Sequence, residues 1–314
     1  MNLKEYILNL NDELLNKLYN DLISLDPHLN ISLEFTDNMF YGNIDGYTSG
    51  NKIVLLENLD LDYSKIILSH ELLHIYFLLN GYPNHFYLEK TTDSPVYIFG
   101  EYLYNCIIHK LIIEEQEKRG FCVKEYQIDL AKKLLMNVEN DKSKKFAYVI
   151  TILNCELICG EYKKIYRNRI QGKFSSSFEI AKQLYECALK VNYETINETR
   201  EALVRVYKKF DELLNIYNHK TLELSKKVAI TYLPDKNEYN KKVTDIFYLY
   251  SECKTNIDGI DQWMLISKKD DQASFIFISK DMTYDQVRNY LDNITIKILY
   301  SRYDHKACVE QQYM

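Results

Sequence analysis

The run His70-Glu71-Leu72-Leu73-His74 holds the residue types and the spacing that metal-assisted hydrolysis needs. On a helix, positions i and i+4 share one face, so the two imidazoles stand about 6 Å apart at their roots and can converge on one tetrahedral Zn2+. Glu71 is rotated about 100° around the axis from His70. It can reach a water on the metal without ligating the metal itself. That is the position of a general base, which takes the proton of the attacking water and later returns it to a leaving amine. Zinc does the complementary work: it brings the pKa of its water toward about 7 and polarises the carbonyl under attack.

A catalytic zinc keeps three protein ligands, so a third must come from elsewhere in the chain. A histidine ten residues beyond His70 would give one known arrangement, but that position is Asn80. His85 follows in a proline-containing loop and reads as a surface residue. The next helix offers Glu101, Asn105 and His109, spaced four apart on one slowly drifting face. His109 as ligand with Asn105 orienting it from behind is one solution. Glu101 on the metal, with Asn105 supporting a ligand imidazole, is the other. His109 is preferred as third ligand, because an imidazole on an apolar face needs more explanation than a carboxylate near a helix start. A group to stabilise the developing oxyanion is also required, and Tyr82, Tyr97, Tyr102 and Tyr104 are the nearby candidates in sequence.

The stretch from the strand at 52–56 through His70-Glu71-x-x-His74 resembles the zincin metallopeptidases, and within them the compact bacterial ImmA/IrrE group. That resemblance implies a short sheet, an HExxH helix and a further ligand-bearing helix in that order. The group's third ligand is a Glu followed four residues later by Asn, which falls on Glu101 and Asn105. The segment from Asn105-x-x-x-His109 to Gly120-Phe121 is similar instead to uncharacterised bacterial HExxH proteins, in which the His of that pair would be the ligand. The resemblance covers residues of about 30–121.

Several elements must position these side chains. Residues 3–25 carry Leu3, Ile7, Leu10, Leu14, Leu18 and Leu22 on one stripe, an amphipathic helix stopped by Asp26-Pro27. Residues 31–36 read as a strand. Gly42, Gly46 and Gly50 mark turns, and 38–56 reads as a hairpin or meander ending in the strand Lys52–Leu56. That strand is expected to form a sheet edge along which an extended peptide could pair. The helix bearing the motif runs from about Tyr63 to Asn80, closed by Gly81 and Pro83. It is apolar almost all round, apart from Ser64, Lys65, Ser69, His70, Glu71 and His74, so it belongs inside the domain. After a loop at 84–94, Asp93-Ser94-Pro95 starts a helix that Gly120 ends, with Lys118 and Arg119 at its negative pole. Helices follow at 127–138, 143–171, 176–190 and 195–226, with a loop at Gly172 and Ser175–Ser177. Beyond 228 the pattern changes to a strand at 228–233, a helix at 236–252, a hairpin at 263–268 and 274–279, and a last helix from Thr283, where Gln286 completes a capping box.

The expected architecture is therefore α+β and predominantly helical. A zincin-like metallopeptidase domain spans 1–121, a helical region spans 122–226, and a small α+β accessory module spans 227–314. With 314 residues, 46% of them apolar and only 9 Gly and 4 Pro, long helices around a sizeable core are the natural outcome. The 28 Tyr, with abundant Lys, Asn and Ile, fit an AT-rich genome and serve as half-buried packing groups. A net charge of −6 speaks against nucleic acid as partner, and lysine clusters such as Lys142, Lys144 and Lys145 read as solvated faces. The seven Cys form no CxxC pair; Cys155 and Cys159 share a helix face as apolar fillers, which fits a reducing, cytoplasmic setting. No signal peptide and no membrane span is expected. The function these features imply is a soluble zinc metallopeptidase acting on a protein or peptide, with a regulatory partner accommodated by 122–314. The alternative is a non-enzymatic zincin-like sensing or regulatory module of a bacterial stress or phage response.

Overall fold

The structure is a computed structural model and describes residues 3–37, 45–88, 94–138, 145–257 and 260–302. Gly42, Asp93, Lys142 and Lys144, singled out above, lie outside the described residues. The chain is α+β with helices predominating. In order, the elements are α1 (Leu3–Leu10), α2 (Glu13–Leu25), β1 (Ser32–Thr36), β2 (Gly46–Ser49), β3 (Lys52–Leu56), α3 (Leu61–Leu79), β4 (His85–Tyr87), α4 (Pro95–Arg119), α5 (Lys124–Val138), α6 (Lys145–Ile158), a 3-10 turn Gly160–Ile165, α7 (Arg167–Lys173), α8 (Ser175–Ala188) and α9 (Ile196–Ile216). Then come α10 (Leu224–Lys227), β5 (Val228–Ile230), α11 (Val243–Ile246), β6 (Phe247–Ile257), β7 (Ile260–Ser267), β8 (Gln272–Ser279), α12 (Tyr284–Asp292) and α13 (Ile296–Arg302). Among the described residues, no helix is long and apolar enough to cross a membrane.

Two compact units divide the chain. The described residues within Met1–Tyr82 and Cys106–Tyr185 form the first, and those within Pro83–Asn105 and Glu186–Gln312 form the second. Helix α4 thus gives its first part to one unit and its second part to the other.

In the first unit, β3 is the middle strand of a three-stranded sheet, parallel to β1 and antiparallel to β2. The expectation that Lys52–Leu56 is a sheet edge is therefore wrong. Its Ile53, Val54 and Leu55 are buried, and a strand so apolar gains more from neighbours on both sides than from an open edge. β2 is one of the sheet's two outer strands and packs on α3. Gly46 makes that approach close: a Cβ there would meet Ile67 Cγ2 at 2.6 Å and Leu55 Cδ2 at 3.0 Å. Helix α2 also packs on α3, with Leu15, Leu18 and Leu22 fully buried.

The second unit is built around the antiparallel sheet β6-β7-β8. One face packs on Val287, Leu291, Ile296 and Leu299 through Phe247, Trp263, Leu265 and Phe277. Met264, Ile266 and Ala273 on the other face meet Leu88 and Ala229. Arg200 is buried against this sheet and donates to Thr231 O at 3.1 Å, to Ser274 Oγ at 2.8 Å and to Asp270. The capping box at Thr283 and Gln286 is present.

Local chemistry explains the other departures. The helix expected over 3–25 breaks at Asn11, whose φ is 48°, because Asp12 caps a new helix by accepting from Leu15 N at 3.0 Å. The run 143–171 is interrupted where Gly160 turns left-handed at φ 48°. Ser175–Ser177 begin α8 rather than forming a loop, since serine favours the first turn, where its hydroxyl can serve the open backbone groups. The run 195–226 ends at Ile216; Asp211 then accepts from the backbone of Leu222, Glu223 and Leu224 at 2.7, 3.0 and 2.7 Å, which fixes a turn instead. Residues 236–252 hold just the short α11 before β6, because the aromatic run from Phe247 pairs with β7. The loop expected at 84–94 contains β4, which finds its partner β5 far along the chain.

Replacing Gly46 with Ala is expected to lower the unfolding free energy by about 1–3 kcal/mol, because Ile67 is branched and Val54 O leaves little room. An unchanged urea midpoint would show that β2 is not packed this closely.

Candidate metal centre

Helix α3 starts sharply because Asp60 caps it, accepting from Asp62 N at 2.9 Å and Tyr63 N at 3.3 Å. It ends at Asn80 and Gly81, the latter at φ 79°. Between these ends Ile67, Leu68, Leu72, Leu73, Ile75 and Phe77 are buried, and so are the polar Ser69, His70 and Glu71.

The Cys106–Arg119 part of α4 lies in the same unit as α3, and two ties hold it there. Gln116 Nε2 donates to Ile66 O at 2.9 Å and to Ser69 Oγ at 2.6 Å. Arg119 donates to Asp21 Oδ2 at 2.6 Å and to Glu115 Oε1 at 2.8 Å, and its guanidinium lies 4.7 Å from the Tyr76 ring centre. Gln116 stands two turns beyond His109, on the same side of the helix. The bonds it makes to the turn before His70 therefore also set where His109 points.

The result is a cluster of three imidazoles. Their ring centres are 5.1 Å apart for His70 and His74, 4.8 Å for His70 and His109, and 5.3 Å for His74 and His109. One ligating nitrogen from each lies within 4.8 Å of the other two. Burial holds His70 well below the ordinary imidazole range, and the neighbouring His109 and His74 act in the same direction. Burial, with help from His109, brings His74 down to about 3. Both are therefore neutral at physiological pH, the form in which imidazole ligates a metal. His70 Nδ1 is buried with no hydrogen-bond partner among the described residues. An orphaned nitrogen beside two further imidazoles is costly in a bare protein, and ligation through that nitrogen would remove the cost. A set of three imidazole ligands suits zinc, and also copper, iron or nickel.

Glu71 sits beside this cluster. Its Oε2 accepts from Thr48 Oγ1 at 2.8 Å. Burial pushes its carboxyl up to about 7, while the Thr48 hydrogen bond pulls the other way. A carboxyl poised there can both take and return a proton near neutrality.

Of the residues singled out from sequence, the structure groups His70, His74 and His109. It does not bring Glu101 into that group. Glu101, in the second unit, has Oε2 at 2.7 Å from His85 Nε2 and accepts from Asn105 Nδ2 at 3.2 Å on Oε1. His85 is thus not a surface residue: it lies on β4, 6% exposed, with the Tyr104 ring centre 3.9 Å away. Tyr104 donates to Pro83 O at 3.0 Å, Tyr97 packs on Tyr87, Tyr82 packs edge-on to Phe77, and Tyr102 is exposed. A tyrosine not singled out from sequence, Tyr126 on α5, lies against the cluster, its ring centre 5.6 Å from that of His70. Sequence reasoning missed Tyr126, Thr48 and Gln116. All three reach the site from other elements, and none carries a spacing signal. Cys106, Cys122, Cys155, Cys159 and Cys187 are free thiols.

No known protein family, curated protein or solved structure matches the chain.

If His109 is the third ligand, His109→Ala should weaken zinc binding by more than the roughly 10–100-fold that loss of an outer hydrogen-bond partner costs. Glu101→Ala should leave zinc affinity within that range. Calorimetric zinc titration of the two purified variants decides the matter, and the reverse order would move the third ligand to Glu101.

Proposed function

We propose that this chain is a zinc-dependent hydrolase, a soluble, cytoplasmic metallopeptidase of the zincin kind acting on a protein or peptide. The observation that carries the reading is the convergence of His70, His74 and His109 beside a Glu71 carboxyl held outside the cluster. His70, His74 and His109 would hold the ion, and zinc there supplies a polarising charge and a water acidic enough to attack at neutral pH. Glu71 takes the proton of the attacking water and returns it to the leaving amine. Burial of Glu71 and His70 keeps bulk water from competing for that proton. An extended peptide fits the outer strand β2 by backbone pairing, rather than β3, whose two sides are taken. The net charge of −6 argues against nucleic acid as substrate, and residues 122–314 offer surface for a regulatory partner.

A second reading, a non-enzymatic zincin-like module that senses or regulates, draws on the burial of His70 and Glu71 at 5% exposure each. The two readings part at Glu71→Gln. Under the first, the variant keeps stoichiometric zinc and loses about 100- to 10,000-fold in turnover of an internally quenched peptide library. His70→Ala should lose the metal as well. Wild-type protein that binds zinc but cleaves no library member, with Glu71→Gln indistinguishable from it, would favour the second reading.

A further inference from the structure

Glu71 has a carboxylate next to three imidazoles, and such a group has two places to go. It can turn into the cluster and act as a further metal ligand, which would close the site. It can also be held aside, ready for proton transfer. The position of the outer strand bears on this choice. Thr48 Oγ1 lies 2.8 Å from Glu71 Oε2 and 3.2 Å from the Glu71 backbone oxygen. Thr48 pairs with Ile53 of the central strand, so its own backbone is fixed by the sheet. Gly46, two residues earlier, lets β2 settle against Ile67 of α3. Asp45, immediately before β2, accepts from Tyr63 Oη at 2.9 Å and from Lys133 Nζ at 2.8 Å. The start of the strand is thereby tied to α3 and to α5. Three features of one short strand thus converge on a single hydroxyl placement.

We propose that Thr48 is the positioning residue for Glu71: its hydroxyl donates to Oε2, keeps the carboxylate out of the imidazole cluster and leaves Oε1 to accept the proton of the attacking water. The inference rests on the zinc-hydrolase reading and adds to it the group that sets the general base. A hydroxyl can do this where an amine or a second carboxylate could not. It gives one directional hydrogen bond without adding a charge beside neutral imidazoles. The β-branched side chain holds its Oγ1 in a restricted set of rotamers, so the bond does not have to be found afresh in each turnover.

The test compares wild type, Thr48→Val and Thr48→Ser in three measurements: zinc affinity by calorimetry, kcat and KM on the internally quenched peptide library, and the Glu71 carboxylate band in the metal-free protein by infrared difference against Glu71→Gln. Valine keeps the shape and removes the hydroxyl. For Thr48→Val, kcat should fall by about 10–100-fold with KM and zinc affinity unchanged, and the carboxylate band should shift. Thr48→Ser should recover most of kcat and the wild-type band. The proposal is overturned if Thr48→Val keeps wild-type kcat, if its band does not move, or if zinc affinity and KM worsen as much as kcat, which would mark a merely structural role. A wild-type protein without turnover would overturn the hydrolase reading and this inference together. A wild-type enzyme that works, paired with an equally active Thr48→Val, would overturn this inference alone.

Discussion

Helix α3 is buried on nearly every side, and the polar groups it carries must therefore be satisfied from within the protein. A buried polar atom without a partner costs about 1–3 kcal/mol, so four such groups on one helix would consume much of a domain's stability. The surroundings answer Ser69 and Glu71 with hydrogen bonds and gather the two imidazoles with a third. Ser69 receives the Gln116 amide, Glu71 receives the Thr48 hydroxyl, and His70 and His74 face one another and His109. One atom is left over, His70 Nδ1. The same desolvation that makes these groups expensive also sets their chemistry. It favours neutral imidazoles and lifts the carboxyl of Glu71 toward neutral pH. Burial and function are thus one constraint here: the environment that forbids idle polar groups is the one that prepares a ligand set and a proton carrier.

The three-stranded sheet shows how small features place that environment. The central position of β3 anchors the sheet with three consecutive buried residues. Its outer neighbour β2 is short and half-exposed, and yet it reaches Glu71. It does so because Gly46 has no side chain to hold it off and because Asp45 is held by Tyr63 and Lys133. On α5, Tyr126, Asp129 and Lys133 share a face; Asp129 accepts from Tyr63 at 3.2 Å and pairs with Lys133 at 2.9 Å. The ion pairs that fix α5 therefore also fix where Tyr126 meets His70. Each of these pairs is partly exposed and is worth little as stability alone. Their value is in orientation.

The second unit also holds charged groups by several contacts at once. Arg200 spends its guanidinium on a backbone carbonyl, a serine and Asp270, and Glu101 spends its carboxylate on His85 and Asn105. Breaking either set would strand a charged or polar partner in a poorly solvated place, which is why such groups are held by several contacts at once. Tyr207 donates to Gly100 O at 2.9 Å, which ties α9 to the first turns of α4.

The sequence by itself determined the local facts. The i, i+4 spacing of His70 and His74, the apolar surroundings of α3, the Pro95 start and Gly120 end of α4 and the capping box at Thr283 all arise within a few residues of chain, where periodicity and capping chemistry act. It also determined that Glu101 and His109 were the two candidates on the following helix. What it could not decide was which partners distant segments bring. His85 looked like a loop residue because its strand partner is Val228–Ile230. Strand 52–56 looked like an edge because β1 joins it in parallel, and a parallel pairing leaves no turn signal between the strands. Residues 236–252 looked helical until β7 offered their aromatic side chains a sheet to pack in. Thr48 and Tyr126 reach the cluster through the packing of β2 and α5 on α3, and no spacing along the chain encodes that approach. The motif was legible because a helix repeats every 3.6 residues. The hydroxyl that holds its carboxylate was not, because hydrogen bonds between elements are set by how those elements pack.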